Sequence, residues 1–153
     1  MSLSLDDLQD EWSEMRALTT DLLAACSDTD LEFTPEGAGA LWKQFRHIGG
    51  IHENYLAAIA RGAMAFDPAT RTYREGASRS ALTGYFAELA DHHAAAFADA
   101  PRGRPVDWFG KPVSLDMHLV RLISHETLHH GQLLLHWRAL GHAFPASWQA
   151  WGV

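Results

Sequence analysis

Apolar residues recur at steps of three and four in several separate stretches of the chain, and each such stretch predicts one face of an amphipathic helix. In the first, Leu5, Leu8, Trp12, Met15, Leu18, Leu22 and Cys26 share a face, with Ser4 as N-cap and Asp6 and Asp7 in the first turn. Ser27-Asp28-Thr29-Asp30 breaks the pattern. Thr34-Pro35-Glu36 then offers a cap with Pro at the first position of a second helix, which carries Leu41, Phe45, Ile48, His52, Tyr55 and Ile59 and ends at Arg61-Gly62. The stretch onward to Gly76, with Asp67-Pro68 and Arg74-Glu75-Gly76, is too long for a simple helical hairpin and predicts a crossover. A third helix runs from about Ser78 to Ala98 on Leu82, Tyr85, Phe86, Leu89, His93 and Phe97. Pro101, Gly103, Pro105, Gly110 and Pro112 mark a second loop, within which Val106 to Val113 reads as a short extended turn. Ser114 caps a fourth helix that continues through Leu140 to a stop at Gly141. The tail with Trp148 and Trp151 is expected to pack on these helices.

Four such helices without a convincing strand pair predict an all-α fold, a four-helix bundle with a long crossover connection, occupying 1–153 as a single domain. A length of 153 residues with 47% hydrophobic and 20% charged residues suffices for one buried core. The net charge of −7 and the scattered placement of the twelve Lys+Arg leave no basic stripe, which excludes nucleic acid as a partner. No stretch approaches the apolar length of a membrane span, and the acidic start MSLSLDDLQDEW is not that of an anchor or a secretory signal. The single cysteine, Cys26, has no internal partner and is expected in the core, consistent with a cytoplasmic protein.

Histidine changes this plain picture: there are ten, five of them between His118 and His136. His125 and His129 are four apart on the fourth helix, about 40° apart around its axis and one turn apart along it, so both imidazoles can reach one metal ion. Leu122 and Leu133 place the pair on the apolar face, where two unpartnered imidazoles would be costly. His125-Glu126-Thr127-Leu128-His129 also matches the H-E-x-x-H signature of zinc peptidases. The continuation argues against that reading: Gln132 and Leu135 stand where a metzincin has Gly and His, no Asp or Glu follows Glu126, and no sheet is predicted. A third ligand is expected from the second helix, where His47 and His52 are the candidates. With the stripe centred near Ile48, His52 falls about 40° from it and His47 about 100°, so periodicity leans toward His52. Gly49-Gly50 inside that helix, each costing roughly 1 kcal/mol relative to Ala, suggests close approach of another backbone or of a ligand.

Taken together, these motifs resemble the DinB-like superfamily of metal-binding four-helix bundles. Trp42-Lys43-Gln44-Phe45-Arg46-His47-Ile48 is similar to the family's second-helix motif, and His125-Glu126-Thr127-Leu128-His129-His130-Gly131-Gln132 to its fourth-helix motif, H-x-x-x-H-x-G-Q. Pro145 to Gly152 resembles a tail seen in one branch. The resemblance implies His47, His125 and His129 as the metal ligands, choosing His47 over His52. It also implies a divalent ion, Zn or Ni first among the candidates, whose open positions suit catalysis. Its enzyme precedents are transferases that use low-molecular-weight thiols and a thiol-dependent maleylpyruvate isomerase. The expected function is that of a metal-dependent thiol S-transferase or hydrolase acting on a small electrophile, its partner a small molecule with a low-molecular-weight thiol as one candidate; a non-catalytic metal-binding stress-related bundle or a dimerisation module is the alternative. The resemblance and the six tryptophans both point to a homodimer. Glu126 is expected beside the site, on the surface or in an interhelical pair; Gln132, near His129 on the same face, is a candidate amide for supporting a ligand or contacting substrate; His118 and His136 are read as ordinary bundle-end residues, with lining of the pocket mouth as the alternative, and His92, His93, His130 and His142 as structural or solvated.

Overall fold

The structure, a computed structural model, describes residues 4–101 and 103–153. Six helices follow in order: α1 (Leu5–Ala25), α2 (Asp28–Glu32), α3 (Leu41–Arg61), α4 (Arg79–Asp99), α5 (Leu115–Leu140) and α6 (Ala146–Gln149), with β1 (Val106–Trp108) and β2 (Lys111–Val113) between α4 and α5. The four long helices are the four expected from the periodicity. Ser4 caps α1 in a reciprocal capping box with Asp7, Ser78 caps α4 and Ser114 caps α5, each accepting from a backbone N–H of the first turn. Gly62 and Gly141 close α3 and α5 in the left-handed conformation.

Two boundaries differ from expectation. The polar run after Cys26 is not a plain break: Ser27 and Asp30 form a second capping box that starts α2. Pro35 does not open the second long helix, which begins at Leu41 behind Ala40 with no side-chain cap; Leu41 N–H donates to the Phe33 carbonyl instead. The extended turn of the second loop is an antiparallel hairpin pairing Val106 with Val113, and Met64 N–H donates to the Asp107 carbonyl, tying it to the end of α3.

The long helices form a ring in which α1 touches α5 and α4, and α3 touches α4 and α5. Cross-helix contacts give their directions. Arg16 and Thr19 meet Glu126 and His130, so α1 and α5 run parallel. Phe45 meets Phe86 and His52 meets His93, so α3 and α4 also run parallel. Parallel neighbours need a connection that returns along the bundle, which is the crossover read from the length of the stretch from Gly62 to Gly76. It is pinned to α3, where Asn54 Nδ2 donates to the Asp67 carbonyl and to Thr70, and Glu53 accepts from Thr72 N.

The core has two apolar clusters, one around Leu22, Phe45, Leu82, Leu133 and Trp137, the other around Trp12, Tyr55, Leu119 and Leu122. Cys26 is buried in the first, as expected. Burial of such side chains stabilises by about 1.5–3 kcal/mol each. The tail packs on the bundle through Trp148, which is buried and donates to the Leu18 carbonyl, whereas Trp151 remains 61% exposed.

Candidate metal centre

Between the two apolar clusters each long helix contributes polar side chains, and these sort into two groups. The first lies inside the bundle. Arg16 donates from Nε and Nη2 to the Glu126 carboxylate at 2.8 and 2.9 Å, and Thr19 Oγ1 donates to the same carboxylate at 2.6 Å. Arg16 Nη2 also lies 3.2 Å from His52 Nδ1, His52 Nε2 3.0 Å from His93 Nδ1, and His93 Nε2 2.6 Å from Gln9 Oε1. Because a guanidinium only donates, His52 accepts at Nδ1 and must donate at Nε2, and His93 passes the same direction on to Gln9. Trp12 stacks on the His93 ring at 3.6 Å between centroids. Burial works to raise the Glu126 carboxyl, but the charge and hydrogen bonds of Arg16, with Thr19, outweigh it and the net shift is downward. Burial, then the Arg16 charge, drives His52 well below the ordinary histidine value and His93 down to about 3.

The second group faces the outside of the α3–α5 groove. His47 from α3 meets His125 and His129 from α5, and the three residues offer ring nitrogens that all lie within 4.8 Å of one another. Ring centroids are 4.5 Å apart for His47–His129, 4.5 Å for His125–His129 and 5.4 Å for His47–His125. His125 Nε2 and His129 Nε2 approach to 3.1 Å, inside the roughly 2.9–3.4 Å that separates neighbouring ligands on an ion with metal–nitrogen bonds of about 2.0–2.1 Å. Gln132 Oε1 lies 2.7 Å from His129 Nδ1. An amide oxygen there accepts a hydrogen bond from Nδ1–H and leaves the His129 Nε2 lone pair facing the cluster, the tautomer control that metal-bound histidines commonly show. His125 Nδ1 is buried without a partner among the described residues, so no protein group fixes that ring's tautomer. Burial first, then the neighbouring His129, lowers His47 and His125 to about 4, so both are neutral donors at neutral pH. Among the described residues no carboxylate joins the cluster. The donor set fits a divalent ion that accepts nitrogen ligands.

The expected site residues therefore part company. His47, not His52, stands with His125 and His129; the periodicity failed because the groove lies off the centre of the stripe. Glu126 is neither on the surface nor in the cluster but in the interhelical pair with Arg16. Gln132 contacts His129 as anticipated. His118 sits between Trp108 Nε1, which donates to it, and the Tyr55 carbonyl, and His136 reaches the Gly39 and Gln132 carbonyls. The two glycines make room for side chains rather than for a backbone: a Cβ on Gly49 would lie 2.2 Å from the Tyr85 ring, and one on Gly50 2.9 Å from Arg71. Sequence reasoning missed the Arg16–Glu126 pair, whose signal was a charged residue inside the apolar stripe of two helices. A cleft of about 970 Å³ lined by Leu5, Gln9, Phe97 and Leu115 shares no residue with the cluster.

Comparisons with known proteins agree with this architecture. Solved DinB-like proteins share the fold: one from Bacillus cereus at a TM-score of 0.77 and 18% identity, covering 95% of this chain and 99% of that one, and one from Bacillus subtilis at 0.71 and 20% identity, covering 92% and 96%. No curated protein matches the chain. A sequence model of the DinB superfamily matches residues 5–133, most of the chain, and on that match the chain belongs to the DinB superfamily.

Proposed function

We propose that the chain binds one divalent metal ion through His47, His125 and His129, and that it is a metal-dependent enzyme that activates a thiol, or water, toward a small electrophile. The observation that carries this reading is the convergence of three imidazoles from two helices with no carboxylate among them in the described residues. Bound there, a divalent ion lowers the pKa of a coordinated water or thiol and leaves positions open for it. The chain's own residues supply the rest. Gln132 holds the His129 ring through Nδ1, and exposed Leu128 and Gln132 leave the α5 side of the groove open to solvent. Zn or Ni suits three imidazoles, and Irving–Williams affinity does not choose between them.

The test is elemental analysis of protein purified without a nickel column, beside His125→Ala, followed by thiol alkylation by a small electrophile. Close to one metal per chain, lost in the variant, with metal-dependent alkylation, is the expected result. Neither protein holding metal after incubation with Zn²⁺ or Ni²⁺ overturns the proposal. A second reading, a homodimer through α5, draws on Leu128 and Leu135, exposed by 69% and 65% on one side of that helix. Sedimentation of Leu128→Lys against the parent tests it, with a shift to monomer expected.

A further inference from the structure

Near the histidine cluster, the Arg71 guanidinium has no hydrogen-bond or ion-pair partner among the described residues. Arg71 comes from the crossover and lies flat across α3 at Gly50, where a Cβ would meet its Cδ at 2.9 Å, its Cγ at 3.0 Å and its Nε at 3.4 Å. The crossover is fixed on both sides of it, by Asn54 on Asp67 and Thr70 and by Glu53 on Thr72. Gly50 is one turn beyond His47, and positions three apart on a helix carry Cβ sites about 5–6 Å apart. The arginine stem is thus laid against α3 one turn from a proposed ligand. Arg71 Nε is buried with no hydrogen-bond partner, and among the described residues no carboxylate pairs with the guanidinium. A half-buried, unpaired guanidinium is costly, and its planar fork of donors suits an oxyanion.

We propose that Arg71 recognises the oxyanion group of a small molecule whose thiol is held at the three-histidine centre, so that the preferred thiols are short, acid-bearing ones. This inference rests on the metal reading above. Recognition through the fork involves no bond making: the thiol gives up its proton to solvent on coordination, and the oxyanion accepts from Arg71. Gly50 is part of the device, because any larger residue there would displace the arginine stem.

The full chain loaded with Co²⁺ provides a visible-absorption readout of thiolate coordination. It is titrated with 3-mercaptopropionate, 2-mercaptoethanesulfonate and the neutral 2-mercaptoethanol. The parent is expected to bind at least one of the two anionic thiols about tenfold more tightly than the neutral one, and whichever anion is preferred tells a planar carboxylate from a tetrahedral group. Arg71→Gln is expected to lose that preference while still taking up Co²⁺; Arg71→Lys keeps part of it through charge alone, and Gly50→Ala weakens it by moving the stem. The lysine and Gly50 variants carry the test if Arg71→Gln does not fold. Equal affinities in the parent, or a preference intact in Arg71→Gln, overturn the inference while the metal reading stands. No uptake of Co²⁺ overturns both.

Discussion

His125 and Glu126 are neighbours on α5, yet they serve two regions of opposite character. Glu126 turns into the bundle and accepts from Arg16 and Thr19. His125 turns to the outer groove, where its partners are two more imidazoles. In the inner region donors run from Arg16 to His52 to His93 to Gln9 and opposite charges meet, while Arg16 Nη1, Gln9 Nε2 and Trp12 Nε1 are buried N–H groups without a partner among the described residues. In the outer region three rings of one chemical type offer nitrogens to the same point. Burial alone does not distinguish a site from a core. What distinguishes them is the kind of group left over: inside, opposite charges pair and the unpartnered atoms are N–H donors, whereas the histidine cluster brings ring nitrogens of three imidazoles together with no counter-charge.

If that contrast is right, the two regions respond differently to mutation in the metal-free protein. The largest effect is expected inside: Glu126→Gln leaves Arg16 without its counter-charge, and unpairing a buried ion pair costs about 3–5 kcal/mol in chemical denaturation. The joint replacement Arg16→Met with Glu126→Leu recovers most of that loss if the pair serves structure only. Stability is also expected to fall in acid. His52 and His93 have folded-state values below their unfolded value of 6.5, so the unfolded chain binds more protons in that window. Their contribution is present above pH 6.5 and drains away as pH falls toward the folded value of about 3 for His93. His93→Gln flattens that part of the curve of unfolding free energy against pH. Next comes Gly49→Ala, which forces the Tyr85 ring to move and is expected to cost about 1–3 kcal/mol by thermal unfolding. The smallest effect belongs to the outer region. His125→Ala, half-buried with an unpartnered Nδ1, is expected to change metal-free stability by less than about 1 kcal/mol while abolishing metal uptake. A loss in His125→Ala as large as in Glu126→Gln would erase the distinction.

The four long helices, the crossover and the stop at Gly141 were legible because each has a local cause: period, cap chemistry, connection length. The start of α3 was not, because Pro35 imitates a helix start, whereas the α3 boundary is set by the tertiary bond from Leu41 to Phe33. At the site, the His125–His129 pair followed from spacing alone. His47 did not, since choosing between His47 and His52 requires knowing which flank of α3 faces α5. The inner network was legible only in part: an interhelical pair was one reading of Glu126, but its partner was not identified, because Arg16, Glu126 and His93 lie on three helices that only the packed bundle brings together.

The most direct test of the central claim is Zn²⁺ stoichiometry, by calorimetric titration of dialysed protein, for His47→Ala beside His52→Gln. The account predicts about one ion per chain in the parent and in His52→Gln, and none bound tightly in His47→Ala. Uptake retained in His47→Ala, or lost only in His52→Gln, would contradict the three-histidine centre.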